Sequence, residues 1–215
     1  MATHPGRLIT IEGLDGAGKT TLARGLLAAA RGCGIEVELL REPGGVHTAE
    51  RIRDLVIDPS LAVSARTEAL LYAAARAQLV EEALSPLLAR GVTVLLDRFV
   101  DSSLAYQGGG RELGVGAVRA INTFATAGLS PDLTLLLAVA PGTGRHRAGG
   151  RGMAPDRLEQ EPEPFFTRIA ETYAALAVAE PDRFRVLDAS QPAERVLTVA
   201  RAAVFALLGV RDGGH

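Results

Sequence analysis

Lysine is almost absent: of the 23 Lys and Arg residues among 215, only Lys19 is a lysine. Tryptophan is missing, cysteine occurs once, and the formal net charge is only −2. With a single cysteine there is no disulfide framework and no cysteine zinc site. Cys33 is expected to pack as a small hydrophobe near the end of the first helix. The slightly negative balance argues against a general nucleic-acid binder, which needs a large positive field to release counterions from a phosphate backbone. No apolar run reaches membrane-spanning length, and no charged-then-apolar leader precedes the first strand-like segment. A soluble cytoplasmic protein with no nucleic-acid or membrane partner is therefore expected. Ala, Arg and Gly are in excess throughout the chain, so a basic residue carries meaning only through its neighbours.

The lone lysine has such neighbours. It lies in Gly13-Leu14-Asp15-Gly16-Ala17-Gly18-Lys19-Thr20-Thr21, a complete match to the phosphate-binding pattern G-x-x-x-x-G-K-[ST]. An apolar stretch, Leu8-Ile9-Thr10-Ile11, precedes it and an Ala- and Leu-rich helical segment follows. Strand, glycine loop and helix in that order turn backbone N–H groups and a helix N-terminus toward bound phosphate. A compact ammonium fits between phosphate oxygens better than a planar guanidinium. Elsewhere, arginine supplies every other fixed positive charge.

Along the chain, apolar strand-like runs alternate with helical ones, the pattern of a parallel sheet covered on both faces. Strands are expected near residues 7–12, 35–41, 92–97, 133–139 and 184–188. Helices are expected near 19–31, 48–57, 64–90, 115–127, 164–180 and 192–208. The third of these contains Pro86, where a kink or break is expected. No linker divides the chain, so residues 1–215 read as a single α/β domain of the P-loop NTPase fold, a five-stranded parallel sheet flanked by helices. One compositional break stands out. Residues 141–155 replace the apolar pattern with glycines and basic side chains, and the segment of about 141–157 reads as a mobile lid of the kind phosphoryl transfer uses.

Asp97-Arg98 ends the third strand. A carboxylate there can hold Mg²⁺ through water and hydrogen-bond Thr20, while Arg98 can reach a transferred phosphoryl group. No Asp-x-x-Gly follows Asp97 and no Asn-Lys-x-Asp follows the fourth strand, so a GTP switch is not expected. Tyr72 and Arg76, four apart, share a helix face. They can stack on a base and grip a monophosphate, although the spacing alone favours a buried tyrosine and a solvated arginine. Ser103, Tyr106 and Gln107 lead into Gly108-Gly109-Gly110-Arg111, which by itself reads as a flexible polar loop. Gln107 can read a base edge. The residues alone leave open another P-loop phosphotransferase or an ATP-dependent switch.

Taken in order, IEGLDGAGKTT, REPGG at 41–45, LLYAAARAQLVE at 70–81, DRFVDSSLAYQGGGR at 97–111 and DRLEQE at 156–161 resemble the bacterial thymidylate kinases over nearly the whole chain. The resemblance implies transfer of the γ-phosphoryl of ATP to dTMP with Mg²⁺, usually in a homodimer. It implies Asp15 on the sugar 3′-hydroxyl, Tyr72 against the thymine, and Arg76 and Arg98 on the acceptor phosphate. It also implies Ser103 and Gln107 on the base, Tyr106 crowding the 2′ position, and Glu42 of REPGG at the acceptor. Thr20 and Asp97 would serve the metal. Because the loop positions Asp15, Gly16 and Ala17 hold no arginine, the catalytic arginine would come from the lid, with Arg151 the first candidate and Arg157 the substitute at the ATP phosphates. Family lids usually have two residues between Arg-Gly and Asp-Arg, whereas here Met153-Ala154-Pro155 intervene.

The lone lysine yields a direct test. Lys19→Ala is expected to leave a folded protein whose ATP-dependent turnover is at least ~100-fold lower. Lys19→Arg is expected to be nearly as impaired, because the planar fork does not fit a site shaped for a point charge. Steady-state kinetics with most activity retained by arginine would remove the point-charge argument.

Overall fold

The computed structural model describes residues 6–140, 142–144 and 157–210. Five strands form one sheet: β1 Leu8–Gly13, β2 Val37–Arg41, β3 Thr93–Asp97, β4 Leu133–Ala138 and β5 Phe184–Asp188. Their order is β2-β3-β1-β4-β5, and every pairing is parallel. β1 is central and buried along its whole length, as expected for a strand covered on both faces. After β3 the chain crosses to the other side of β1. Such a reversal opens a crevice at the C-terminal ends of the strands, where ligands bind in α/β sheets.

The helices are α1 Lys19–Gly32, α2 His47–Ile57, α3 Ala65–Leu79, α4 Ser85–Ala89, α5 Val100–Ser103, α6 Val115–Ala125, α7 Glu163–Ala179 and α8 Ala193–Leu208. Alternating strand residues divide the core. Ile9, Ile11, Leu95, Leu135 and Leu137 pack with α1 and α8 on one face. Leu136 packs with α7 on the other, and Leu8, Val94 and Leu96 pack there with the continuation of α3. The period of two in each strand thus serves two apolar layers.

Three expectations are corrected. The helix expected over 64–90 is not uniformly α-helical: a π-helical segment, Val80–Leu84, joins α3 to α4. Pro86, near the start of α4, has no N–H and its ring crowds the carbonyl four residues back, so the wider turn accommodates it. The expected flexible loop at 103–111 is helical, with α5 running into a π segment, Leu104–Gly110. Its glycines serve contact, because a Cβ on Gly109 would lie 2.0 Å from Thr172 Oγ1 and one on Gly110 2.6 Å from the Phe165 ring. Cys33 is exposed, since α1 has ended before it and the chain is turning toward β2. Of the expected lid, residues 141 and 145–156, including Arg151, lie outside the described residues.

Candidate active site

The loop between β1 and α1 is shaped by its glycines. Gly13 has φ 135°, and a Cβ there would meet the Leu137 carbonyl oxygen at 2.6 Å; only glycine fits both demands. Gly18, left-handed at φ 101°, begins α1 without any side-chain cap, and no acidic residue occupies the first turn. Among the described residues the first N–H groups of α1 therefore have no side-chain partner, an arrangement that suits an anion. Lys19 Nζ bridges the loop, donating to the carbonyls of Gly13 (3.1 Å) and Leu14 (2.9 Å). Burial, reinforced by nearby Arg98, lowers the Lys19 ammonium to about 8.

β3 lies beside β1 with Asp97 opposite Ile11, which brings the Asp-Arg pair to the loop. Thr20 Oγ1 donates to Asp97 Oδ2 at 3.4 Å. Asp97 Oδ1 is buried and has no hydrogen-bond partner among the described residues, so one oxygen remains for a water or a cation. Among the described residues no cluster of three or more His, Cys, Asp or Glu could hold a metal. A hard cation that keeps waters and takes its other ligands from phosphates fits such a sparse set, and Mg²⁺ is that kind of ion.

Arg98 adopts φ 73°, a costly conformation for a non-glycine residue that surrounding bonds must enforce. Its N–H donates to the Ile11 carbonyl, and the next N–H, of Phe99, donates to Glu12 Oε1 at 2.7 Å. So held, the guanidinium pairs with Asp15 at 2.5 Å and lies over the Tyr106 ring, 5.0 Å from its centroid. Tyr106 OH donates to the other Asp15 oxygen at 3.0 Å. Burial alone would raise the Asp15 carboxyl, but Arg98 and Lys19 hold it well below the usual carboxylate range.

Two cavities meet here. One, of about 390 Å³, runs along the phosphate loop past Gly16, Gly18, Lys19, Thr20, Thr21 and Asp97. The other, a narrow space of about 100 Å³, is bordered by Tyr72, Arg76, Ser103, Tyr106 and Gln107. Asp15, Glu42, Arg53 and Arg98 line both. Beyond the loop lies an apolar cavity of about 620 Å³ formed by Ala17, Thr21, Leu22 and the turn Ala189–Pro192 ahead of α8.

Arg76 differs from its expectation. It is 1% exposed, four of its N–H donors make hydrogen bonds to protein, and Nη2 is also ion-paired with Glu42. Nε and Nη2 reach Glu42 Oε2 (2.8 and 2.6 Å), Nη1 reaches Ser103 Oγ (2.9 Å) and Asn122 Oδ1, and Nη2 also reaches the Phe99 carbonyl (2.9 Å). A guanidinium has five donors and no more, and with four of them hydrogen-bonded to protein no fork is left for a bidentate phosphate. The helical spacing indicated a shared face for Tyr72 and Arg76 but not the carboxylate that draws the arginine inward. Tyr72 is the half-buried member of the pair.

Arg157 also departs from its expected place at the ATP phosphates. It turns to the acceptor side, where Nε donates to the Val56 carbonyl (3.0 Å) and Nη1 pairs with Glu68 (2.7 Å). Arg53, missed by the sequence reading, borders both cavities, and its one hydrogen bond among the described residues goes to the Pro43 carbonyl. Its position on α2 just after REPGG was the available signal. The turn at Ala189–Pro192 was also missed, because its small and polar residues carry no recognisable pattern.

Comparison with known proteins agrees with this geometry. The family model for thymidylate kinase matches residues 11–199. The thymidylate kinase of Deinococcus radiodurans is 49% identical over 199 residues, covering 93% of this chain and 96% of that protein. That of Lactobacillus delbrueckii subsp. bulgaricus is 49% identical over 198 residues, covering 91% and 93%. That of Pseudomonas savastanoi pv. phaseolicola is 46% identical over 209 residues, covering 97% and 99%.

Two outcomes are expected. Arg76→Ala leaves Glu42 buried without its partner and should lower unfolding stability by roughly 3 to 5 kcal/mol, measured by urea denaturation. A protein of unchanged stability that had lost only acceptor affinity would return Arg76 to the phosphate. For Lys19, bound polyphosphate favours the charged form, so binding takes up a proton once the free group has lost it. ATP affinity measured calorimetrically should therefore fall as pH rises through about 8, by up to ~10-fold per pH unit. Lys19→Ala should abolish that slope, and a slope that persists in the variant would assign it to another group.

Proposed function

The chain belongs to the thymidylate kinase family, and we propose that it transfers the γ-phosphoryl group of ATP to dTMP, giving ADP and dTDP. The observation that carries this reading is the wall shared by the two cavities, with Arg53 and Arg98 facing both. A reaction between two phosphate groups must overcome their repulsion, and cations at the junction do so.

In this reading ATP lays its phosphates along the loop from Gly13 to Thr21, with Lys19 between their oxygens. The apolar cavity beside Ala189–Pro192 takes its base. dTMP enters the narrower cavity with its base by Tyr72, Ser103 and Gln107 and its phosphate toward Arg98 and Arg53. Asp15, held anionic, accepts the 3′-hydroxyl, and Tyr106 limits room at the 2′ position. Glu42, whose Oε1 has no hydrogen-bond partner among the described residues, borders the acceptor and keeps Arg76 in place. Thr20 and Asp97 would hold Mg²⁺, which when bound neutralises charge on the β- and γ-phosphates.

The chemistry needs no strong base. The acceptor phosphate oxygen is already anionic; it bonds to the γ-phosphorus as the bond to the β-phosphate oxygen breaks and ADP leaves. Alignment and charge neutralisation are the protein's contribution. Arg151, on the segment outside the described residues, remains our candidate for the arginine that meets charge developing on the transferred group.

A homodimer in the cytoplasm is also proposed. Exposed Leu55 on α2, Leu70 on α3 and Phe124 on α6 lie on successively packed helices, and an exposed apolar surface of this kind suits a second copy. No described helix is long and apolar enough to cross a membrane.

A coupled assay of ADP release with dTMP, dUMP, dCMP, dGMP and dAMP in parallel tests the proposal. dTMP should be the preferred acceptor, and equal rates with a purine nucleotide would reject it. Arg53→Ala should raise KM for dTMP by roughly 10- to 100-fold, the scale of one lost charge-assisted contact, with ATP affinity less affected. An unchanged KM would remove Arg53 from the acceptor phosphate.

A further inference from the structure

Glu68 is fully buried on α3, one helical turn before Tyr72. Its Oε1 accepts a hydrogen bond from Gln107 Nε2 at 2.9 Å. Its Oε2 is shared by Arg111 Nη2 at 3.0 Å and Arg157 Nη1 at 2.7 Å. Each of these neighbours donates. The carboxylate is thus held as an acceptor at the edge of the acceptor cavity, which Gln107 lines.

A glutamine amide has an acceptor end and a donor end of nearly equal size, so a half-turn of the group exchanges them. Beside Glu68 that exchange is costly. Turning the amide would set Gln107 Oε1 against a carboxylate oxygen, with no proton between them, in a buried site where an unmade hydrogen bond carries its full desolvation penalty. Nε2 is therefore committed to Glu68, and Oε1, which takes no hydrogen bond among the described residues, is left for a ligand. The second hydrogen of Nε2 remains for a carbonyl beside the group that Oε1 meets.

We infer that Glu68 is the specificity-determining positioning residue of the acceptor site, fixing the Gln107 amide so that it offers an acceptor to N3 of the incoming base. Thymine and uracil carry a hydrogen on N3 next to a carbonyl and match this pattern. Cytosine has an acceptor at N3 next to an amino group and matches only the turned amide. The inference rests on the proposal above that the base lies beside Gln107. It adds that the choice between pyrimidines is made by a carboxylate that does not touch the base. Arg111 and Arg157 have a matching part, since they hold Glu68 in place.

The test compares kcat/KM for dTMP and dCMP in the wild-type enzyme, Glu68→Gln and Gln107→Met. A glutamine at 68 can present either end to Gln107 and so frees its amide to turn. Glu68→Gln should lower the dTMP-to-dCMP ratio by at least ~10-fold, the scale of one mispaired base contact, with KM for ATP unchanged. Gln107→Met should lower it to a similar value. A merely structural role for Glu68 would reduce both acceptors together at constant ratio, and that result overturns the inference while a lowered ratio in Gln107→Met leaves the base site standing. If Gln107→Met leaves the ratio unchanged, the base does not lie there and both readings fail. Should Glu68→Gln not fold, calorimetry on the wild type with 3-methyl-dTMP, which has no hydrogen on N3, decides. Binding weakened at least ~10-fold relative to dTMP in the wild type but not in Gln107→Met, whose side chain is of similar size and has no such acceptor, supports the fixed acceptor. Equal binding in the wild type, or equal weakening in both proteins as a steric clash of the methyl group gives, overturns it.

Discussion

The ion pair between Arg98 and Asp15, at 2.5 Å, is the contact on which the arrangement of the site depends. It joins the end of β3 to the phosphate loop and so fixes the boundary between the two cavities. The order β2-β3-β1-β4-β5 makes it possible by placing β3 directly beside the strand that enters the loop. Its conformational cost is visible in the left-handed backbone of Arg98, φ 73°. Glu12, at the end of β1, holds the following peptide through the Phe99 N–H and also accepts from Ser102 and Tyr173. The strain is thus supported from the sheet, as is common where a side chain must face a ligand in one orientation only.

Behind this contact stand two buried carboxylates, each tied to arginine. Glu42 holds Arg76, and Glu68 holds Arg111 and Arg157. Buried ion pairs are poor sources of net stability, because desolvation offsets most of the attraction. Their value here is positional. Arg76 connects β2's following turn to α3, Ser103 and Asn122 on α6, so the walls of the narrow cavity are braced against one another. Glu68 does the same for Gln107 and for Arg157, which borders the segment outside the described residues. The lone lysine works differently: buried and lowered to about 8, it gains its full charge most readily when phosphate arrives.

The sheet and the phosphate loop were legible in the sequence because their signals are local. Leu8 to Thr21 carries strand, turn and helix in an order with few physical alternatives, and the Asp97–Thr20 approach follows once β3 is set beside β1. Arg76 was not legible in the same way. Periodicity assigns a face, but burial of a guanidinium depends on Glu42, 34 positions earlier, and on Asn122, 46 positions later. The Gly108–Gly110 run by itself suggests flexibility, whereas its missing side chains admit α7 at close range. Arg53 and the turn at Ala189–Pro192 had no motif of their own and became visible only as cavity walls. Cys33 shows the same limit at the surface, where one residue past a helix end decides exposure.

The central claim is that the acceptor phosphate is met at the Arg98 boundary rather than by Arg76. A crystal structure with dTMP and an unreactive ATP analogue tests this most directly. The dTMP phosphate is expected against the Arg98 and Arg53 guanidinium groups, beside the phosphate loop, with Arg76 still holding Glu42 and Ser103. A dTMP phosphate seated on Arg76, with Glu42 displaced, would contradict it.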